Sequence, residues 1–133
     1  MPTSRPLSVL VPQRLREPPR SFAWIDHRLR ADRWLERLSP TEIALYLFLV
    51  LAADRRGLSC WRVDRIERAM PAFDRAALRR ARDGLIEMDL VAFRPWSPAE
   101  IDGRYQVLSL PSTTARAHPR GGDQGTPDHV PLY

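Results

Sequence analysis

Residues 62–91, RVDRIERAMPAFDRAALRRARDGLIEMDLV, contain two amphipathic segments separated by a break. In the first, Val63, Ile66 and Met70 stand at i, i+3 and i+7, the apolar stripe of a short helix, while Arg62, Arg65 and Arg68 share another side. Pro71-Ala72-Phe73 interrupts it. Asp74 then offers a carboxylate to the N–H groups that the first turn of a following helix leaves open. From Arg75 to Met88, Leu78, Ala81, Leu85 and Met88 recur at helical spacing and form one buried stripe, which leaves Arg75, Ala76, Arg79 and Arg80 away from it. Arg82 borders the stripe and is expected to run its stem along apolar surface or to pair with an acid.

Upstream, Ser39-Pro40-Thr41-Glu42 reads as a helix start, with Ser39 as cap, Pro40 in the first helical position and Glu42 closing a capping box. The segment that follows, Ile43 to Leu51, is apolar on nearly every side and predicts a central helix. Gly57 is its expected left-handed terminus, and Leu58 to Trp61 an extended stub. Phe22 to Ile25 reads as a short strand and Arg28 to Leu38 as a turn or weak helix, with Leu35 and Leu38 available to the core. Trp24, Trp34 and Trp61 are expected to pack. Downstream, Leu90–Arg94 and Tyr105–Leu110 read as two strands, and Ser97 to Gly103 between them has turn composition, with Asp102-Gly103 the signal of a hairpin end. The folded unit is thus expected over residues 21–110. Residues 1–20, with five prolines, read as a flexible arm in which Leu7 to Val11 is a candidate edge strand, and residues 111–133 as a disordered tail.

A chain of 133 residues allows one small domain. Its longest uninterrupted apolar run, Ile43 to Ala53, is shorter than the roughly 20 residues a membrane span needs, so no membrane partner is expected. No apolar stretch of signal-peptide length follows the N-terminal arginines, and the one cysteine, Cys60, supports no disulfide framework; a cytoplasmic location is expected. All 21 basic side chains are arginine. With neither lysine nor asparagine present and 13 prolines, GC-rich coding accounts for that choice. Placement is the informative part. Between Arg55 and Arg82 nine arginines face three acids, a local charge of +6 in a chain whose total is +5, and an acidic partner is the expectation.

The residue types of catalysis are scattered. His27, His118 and His129 share no metal-ligand spacing with one another or with Cys60, and Asp26-His27 has no nucleophile beside it. A phosphate-cradling loop of the lysine-containing kind is impossible, and the dinucleotide and hydrolase glycine motifs do not occur. The expectation is a protein that is not an enzyme and takes no metal, cofactor or small-molecule ligand.

In its order of elements, Phe22 to Leu110 resembles a winged helix-turn-helix domain, an α+β fold with a three-helix core and a β-hairpin wing. It is similar to the domains of bacterial plasmid replication initiators and small regulators. Leu38-Ser39-Pro40, Leu45-Tyr46, Gly57-Leu58-Ser59 and Leu85 to Val91 carry the resemblance. Asp89 departs from it, standing where the family has a glycine suited to a left-handed backbone. The resemblance implies sequence-specific binding of double-stranded DNA, by a transcriptional regulator or by a replication or accessory factor of a plasmid or other mobile element. The helix from Arg75 would enter the major groove, with Arg75, Ala76, Arg79 and Arg80 at base edges. Arg62, Arg65 and Arg68 would meet phosphates, and Arg94, Trp96 and Arg104 would form the wing contacts. A homodimer would suit two half-sites about 34 Å apart. The alternative is a winged helix that serves as a protein–protein interaction module without DNA binding, its arginines merely solvated.

Overall fold

Ser39 opens the longest apolar helix as expected: its hydroxyl accepts from the Glu42 N–H at 3.1 Å, and the Glu42 carboxylate accepts in return from the Ser39 N–H at 2.9 Å. The computed structural model describes residues 5–97 and 102–111. Within them lie α1 (Arg28–Ala31), α2 (Pro40–Ala52), β1 (Leu58–Trp61), α3 (Val63–Ala69), α4 (Arg75–Glu87), β2 (Val91–Pro95) and β3 (Gly103–Val107), with 3-10 turns at Pro12–Arg14 and Trp34–Arg37. The fold is α+β. Its sheet is antiparallel throughout, in the order β1-β3-β2, so β3 is the central strand. Tyr105 stands opposite Ser59 on one side and Phe93 on the other, and Arg104 opposite Cys60 and Arg94.

The core lies where α2 and α4 meet the inner face of the sheet. Leu45 and Leu49 of α2, Ile66 of α3, Leu78, Ala81 and Leu85 of α4, and Leu90, Val91 and Tyr105 beyond it are buried together. Gly84 allows the close approach, because a methyl group there would overlap the Glu42 carboxylate of the capping box.

Several elements differ from the sequence expectation, each for a physical reason. Helix α2 is buried on one side only: Leu45, Tyr46, Leu49 and Val50 face inward, while Ile43, Leu47 and Leu51 face solvent. An all-apolar helix has no polar side to mark its outer face, so its sequence could not show this division. Gly57 is not the cap of α2, which ends at Ala52 with Ala53 already extended. It sits at φ +88° in the turn into β1, where its carbonyl accepts from the Val107 N–H at 2.8 Å. The Asp54 carboxylate holds that turn, accepting from the N–H groups of Leu58 and Arg56, and those bonds lower its pKa below the usual carboxylate value. A Cβ at position 57 would lie 2.5 Å from the Val107 oxygen. Gly57→Ala therefore combines an unfavourable left-handed backbone with a backbone clash, and chemical denaturation is expected to show a loss of about 2–3 kcal/mol.

Phe22 to Ile25 forms no strand, and neither does Leu7 to Val11; β1 pairs with β3 alone, and neither segment joins the sheet. An apolar run reads alike whether or not it finds a ladder. In the segment before α2 the core position is taken by Trp34 together with Leu29 and Leu38, and Leu35 is exposed. Trp61 packs edge-on against Phe48, whereas Trp24 is exposed. The hairpin connection lies between Pro95 and Gly103, with the Trp96 N–H on the Asp102 carbonyl at 3.1 Å, so Asp102 closes the expected turn segment and only Gly103 falls outside it. Gly103 belongs to β3, so close to the Arg94 and Pro95 backbone that a Cβ would overlap it. Strand β3 ends at Val107 and not at Leu110, although the Leu108 N–H still donates to the Leu90 carbonyl at 3.0 Å, one rung further along the β2–β3 register. The tail expected from residue 111 lies outside the described residues beyond Pro111, as do residues 1–4 of the arm.

Asp89 adopts the left-handed backbone that the resemblance implied for its position, φ +65°. The Leu90 N–H reaches the Leu85 carbonyl at 3.0 Å and the Asp89 N–H that of Ile86 at 2.9 Å, the paired bonds of a Schellman terminus. Asp89→Gly is expected to leave stability unchanged or raise it by up to about 1 kcal/mol. Asp89→Val is expected to lower it by about 1–2 kcal/mol, because a β-branched residue resists this conformation. Thermal melts of the two variants check the sign.

Candidate nucleic-acid interface

Helix α4 starts where Asp74 accepts from the Ala77 N–H at 2.8 Å. With Leu78, Ala81 and Leu85 turned inward, Arg75, Ala76, Arg79 and Arg80 are all exposed, as the spacing predicted. They are not equivalent. The Arg75 guanidinium donates to both Glu67 oxygens, at 2.9 and 3.3 Å, which ties the first turn of α4 to α3 and raises the arginine's pKa above its ordinary value. Arg79 and Arg80 form no ion pair among the described residues.

Helix α3 shows the same division. Arg62 leans on Asp64 at 3.4 Å, whereas Arg65 and Arg68 are exposed without a carboxylate partner among the described residues. Arg56 is held by Asp54, and Arg82 by Asp83. Arg82 lies largely buried over the Phe93 ring, 4.6 Å from its centroid, in the packing role expected of it. Of the nine arginines from 55 to 82, then, Arg55, Arg65, Arg68, Arg79 and Arg80 carry charge that no described carboxylate offsets.

The third group lies on the hairpin. Arg94 and Arg104 are directly opposite on the outer face of β2 and β3, and the Arg104 guanidinium sits 5.4 Å from the centroid of the exposed Trp96 ring. Like charges facing each other across a ladder are unfavourable unless an anion lies between or above them.

Two contacts that the sequence did not reveal join these groups. One is the Arg75–Glu67 pair between the two basic helices. The other is Asp102, whose carboxylate accepts from the Val63 N–H at 2.9 Å and so caps α3 from the hairpin, 39 residues away in sequence. Arg62, the residue at the cap position, supplies no side-chain bond of its own. Elsewhere, the Asp26 carboxylate beside His27 is occupied by the Arg28 guanidinium at 2.7 Å, and this bond lowers its pKa. Among the described residues no group of three or more His, Cys, Asp or Glu side chains lies close enough to hold a metal ion, and no helix is long and apolar enough to cross a membrane. Comparison of the chain with protein-family models, curated proteins and solved structures finds no match.

Proposed function

We propose that this chain is a winged helix-turn-helix protein that binds duplex DNA sequence-specifically, as a transcriptional regulator or as a replication or accessory factor of a mobile element. The observation that carries the reading is the exposure of Arg65, Arg68, Arg79 and Arg80 on two linked helices without compensating carboxylates among the described residues. In this reading α4 lies in the major groove. Arg79 and Arg80 reach guanine edges, Ala76 leaves room for a thymine methyl, and Arg75 divides its guanidinium between Glu67 and DNA. Arg65 and Arg68 meet phosphates, joined by Arg62 when it leaves Asp64. Arg94, Arg104 and Trp96 of the wing lie against the backbone or the adjacent minor groove.

Fluorescence anisotropy with a random-sequence duplex over a salt series tests it. Four to six phosphate contacts would give a slope of log affinity on log salt of about −4 to −5. Absence of binding at micromolar protein and low salt would leave the basic surface solvated and favour a protein-interaction module. The exposed apolar side of α2 supports that second reading, but it involves none of the arginines above.

A further inference from the structure

We propose that the chain forms a dimer by exchanging its N-terminal arms, the arm of each copy lying on the exposed side of α2 in the other. Ile43, Leu47 and Leu51 recur at i, i+4 and i+8 and form one continuous apolar stripe, with Leu51 65% exposed. Single exposed leucines are ordinary on protein surfaces, whereas a stripe spanning three successive helical turns is not. The arm is the complementary surface. Between Leu7 and Ile25 eight large apolar side chains are exposed, Leu7 to 98% and Leu10 to 91%. Among its described residues the arm's regular structure is a single 3-10 turn at Pro12–Arg14, with the Arg14 N–H on the Val11 carbonyl. Within its own chain the arm leaves these side chains in water.

Area, reach and charge favour a second copy as the occupant. At roughly 100 Å² for each exposed side chain, the three stripe residues and the matching length of arm bury about 600 Å² per chain, or ~1,200 Å² over the two exchanged contacts, the lower end of the range for a stable interface. From Ile25 back to Leu10 an extended chain reaches ~50 Å, farther than the width of a domain of this size. From Pro40 to Ala53 the only charged residue is Glu42, so an arm bearing Arg5, Arg14, Arg16 and Arg20 meets no repulsion along the stripe. Exchange makes the two contacts identical, the closed symmetry that most homodimers adopt. The proposal is independent of DNA binding.

Light scattering of the full chain at tens of micromolar is expected to give twice the mass of one chain. The stripe variant Leu47→Asp, Leu51→Asp and the arm variant Leu7→Ser, Leu10→Ser are each expected to give one mass, with far-UV circular dichroism unchanged because all four side chains are exposed. A monomeric wild type overturns the proposal, and so does a dimer that survives either variant. Should a variant lose its helical signal, mixed chains decide: Leu10→Cys and Leu47→Cys, both in a Cys60→Ser background, are expected to join through a short bis-maleimide. Failure of that heterologous cross-link overturns arm exchange.

Discussion

Replacing Arg79 and Arg80 together with alanine is expected to weaken duplex binding by about 100-fold or more, since each arginine bidentate to a guanine edge contributes about 1–3 kcal/mol. Neither side chain is bound to a described carboxylate, so the change breaks no ion pair described in the free protein, and both lie off the buried stripe of α4. The double variant should therefore melt with the wild type. Anisotropy over the same salt series separates two roles. If the pair reads bases, the loss is concentrated on the preferred sequence and specificity relaxes; if it meets phosphates, affinity falls equally on all sequences and the salt slope becomes shallower by about 2. Unchanged affinity would remove α4 from the interface. Arg75→Ala makes an instructive comparison, because it also releases Glu67 and loosens the junction of α3 with α4.

Leu85→Ala is expected to be the most damaging single truncation on the same helix, costing about 3–5 kcal/mol. Its side chain is fully buried, and its carbonyl accepts the bond that closes the helix terminus, so the cavity opens where α4 turns into β2. The stability of a domain this size is on the order of 5–10 kcal/mol, so about half of it would be lost. Ile86→Ala, one residue further and 38% exposed, is expected to cost about 1 kcal/mol. Urea denaturation of both variants measures the contrast. Equal losses would mean that α4 is not seated on the core as described.

What the sequence disclosed was local. The Ser39–Glu42 box, the Asp74 cap and the stripe of α4 each depend on residues within four positions of one another, or on a period that solvent and core impose on a helix. The left-handed backbone at Asp89 was indicated only through the family resemblance, since an aspartate does not by itself mark such a position. Contacts between distant segments were not legible. Nothing near Val63 announces that its amide finds Asp102, and the Asp-Gly pair reads as a turn wherever its carboxylate goes. Arg75 and Arg79 look alike one turn apart on one helix. Only folding α3 against α4 brings Glu67 to one of them and leaves the other uncovered. The apolar run in α2 and those in the arm carry no period that separates a buried side from an exposed one.

The Asp102 cap gives the hairpin and α3 a shared proton. Because the Val63 N–H is satisfied only while β3 stays in register beside Arg94 and Pro95, its amide resonance is a gauge of the wing. A ligand that bends the hairpin is expected to lengthen that bond, and one that clamps it to slow the exchange of that hydrogen with solvent. A single peak in an amide spectrum thus reports, without a label or a mutation, whether whatever touches Arg94, Trp96 and Arg104 is also felt at the first turn of α3.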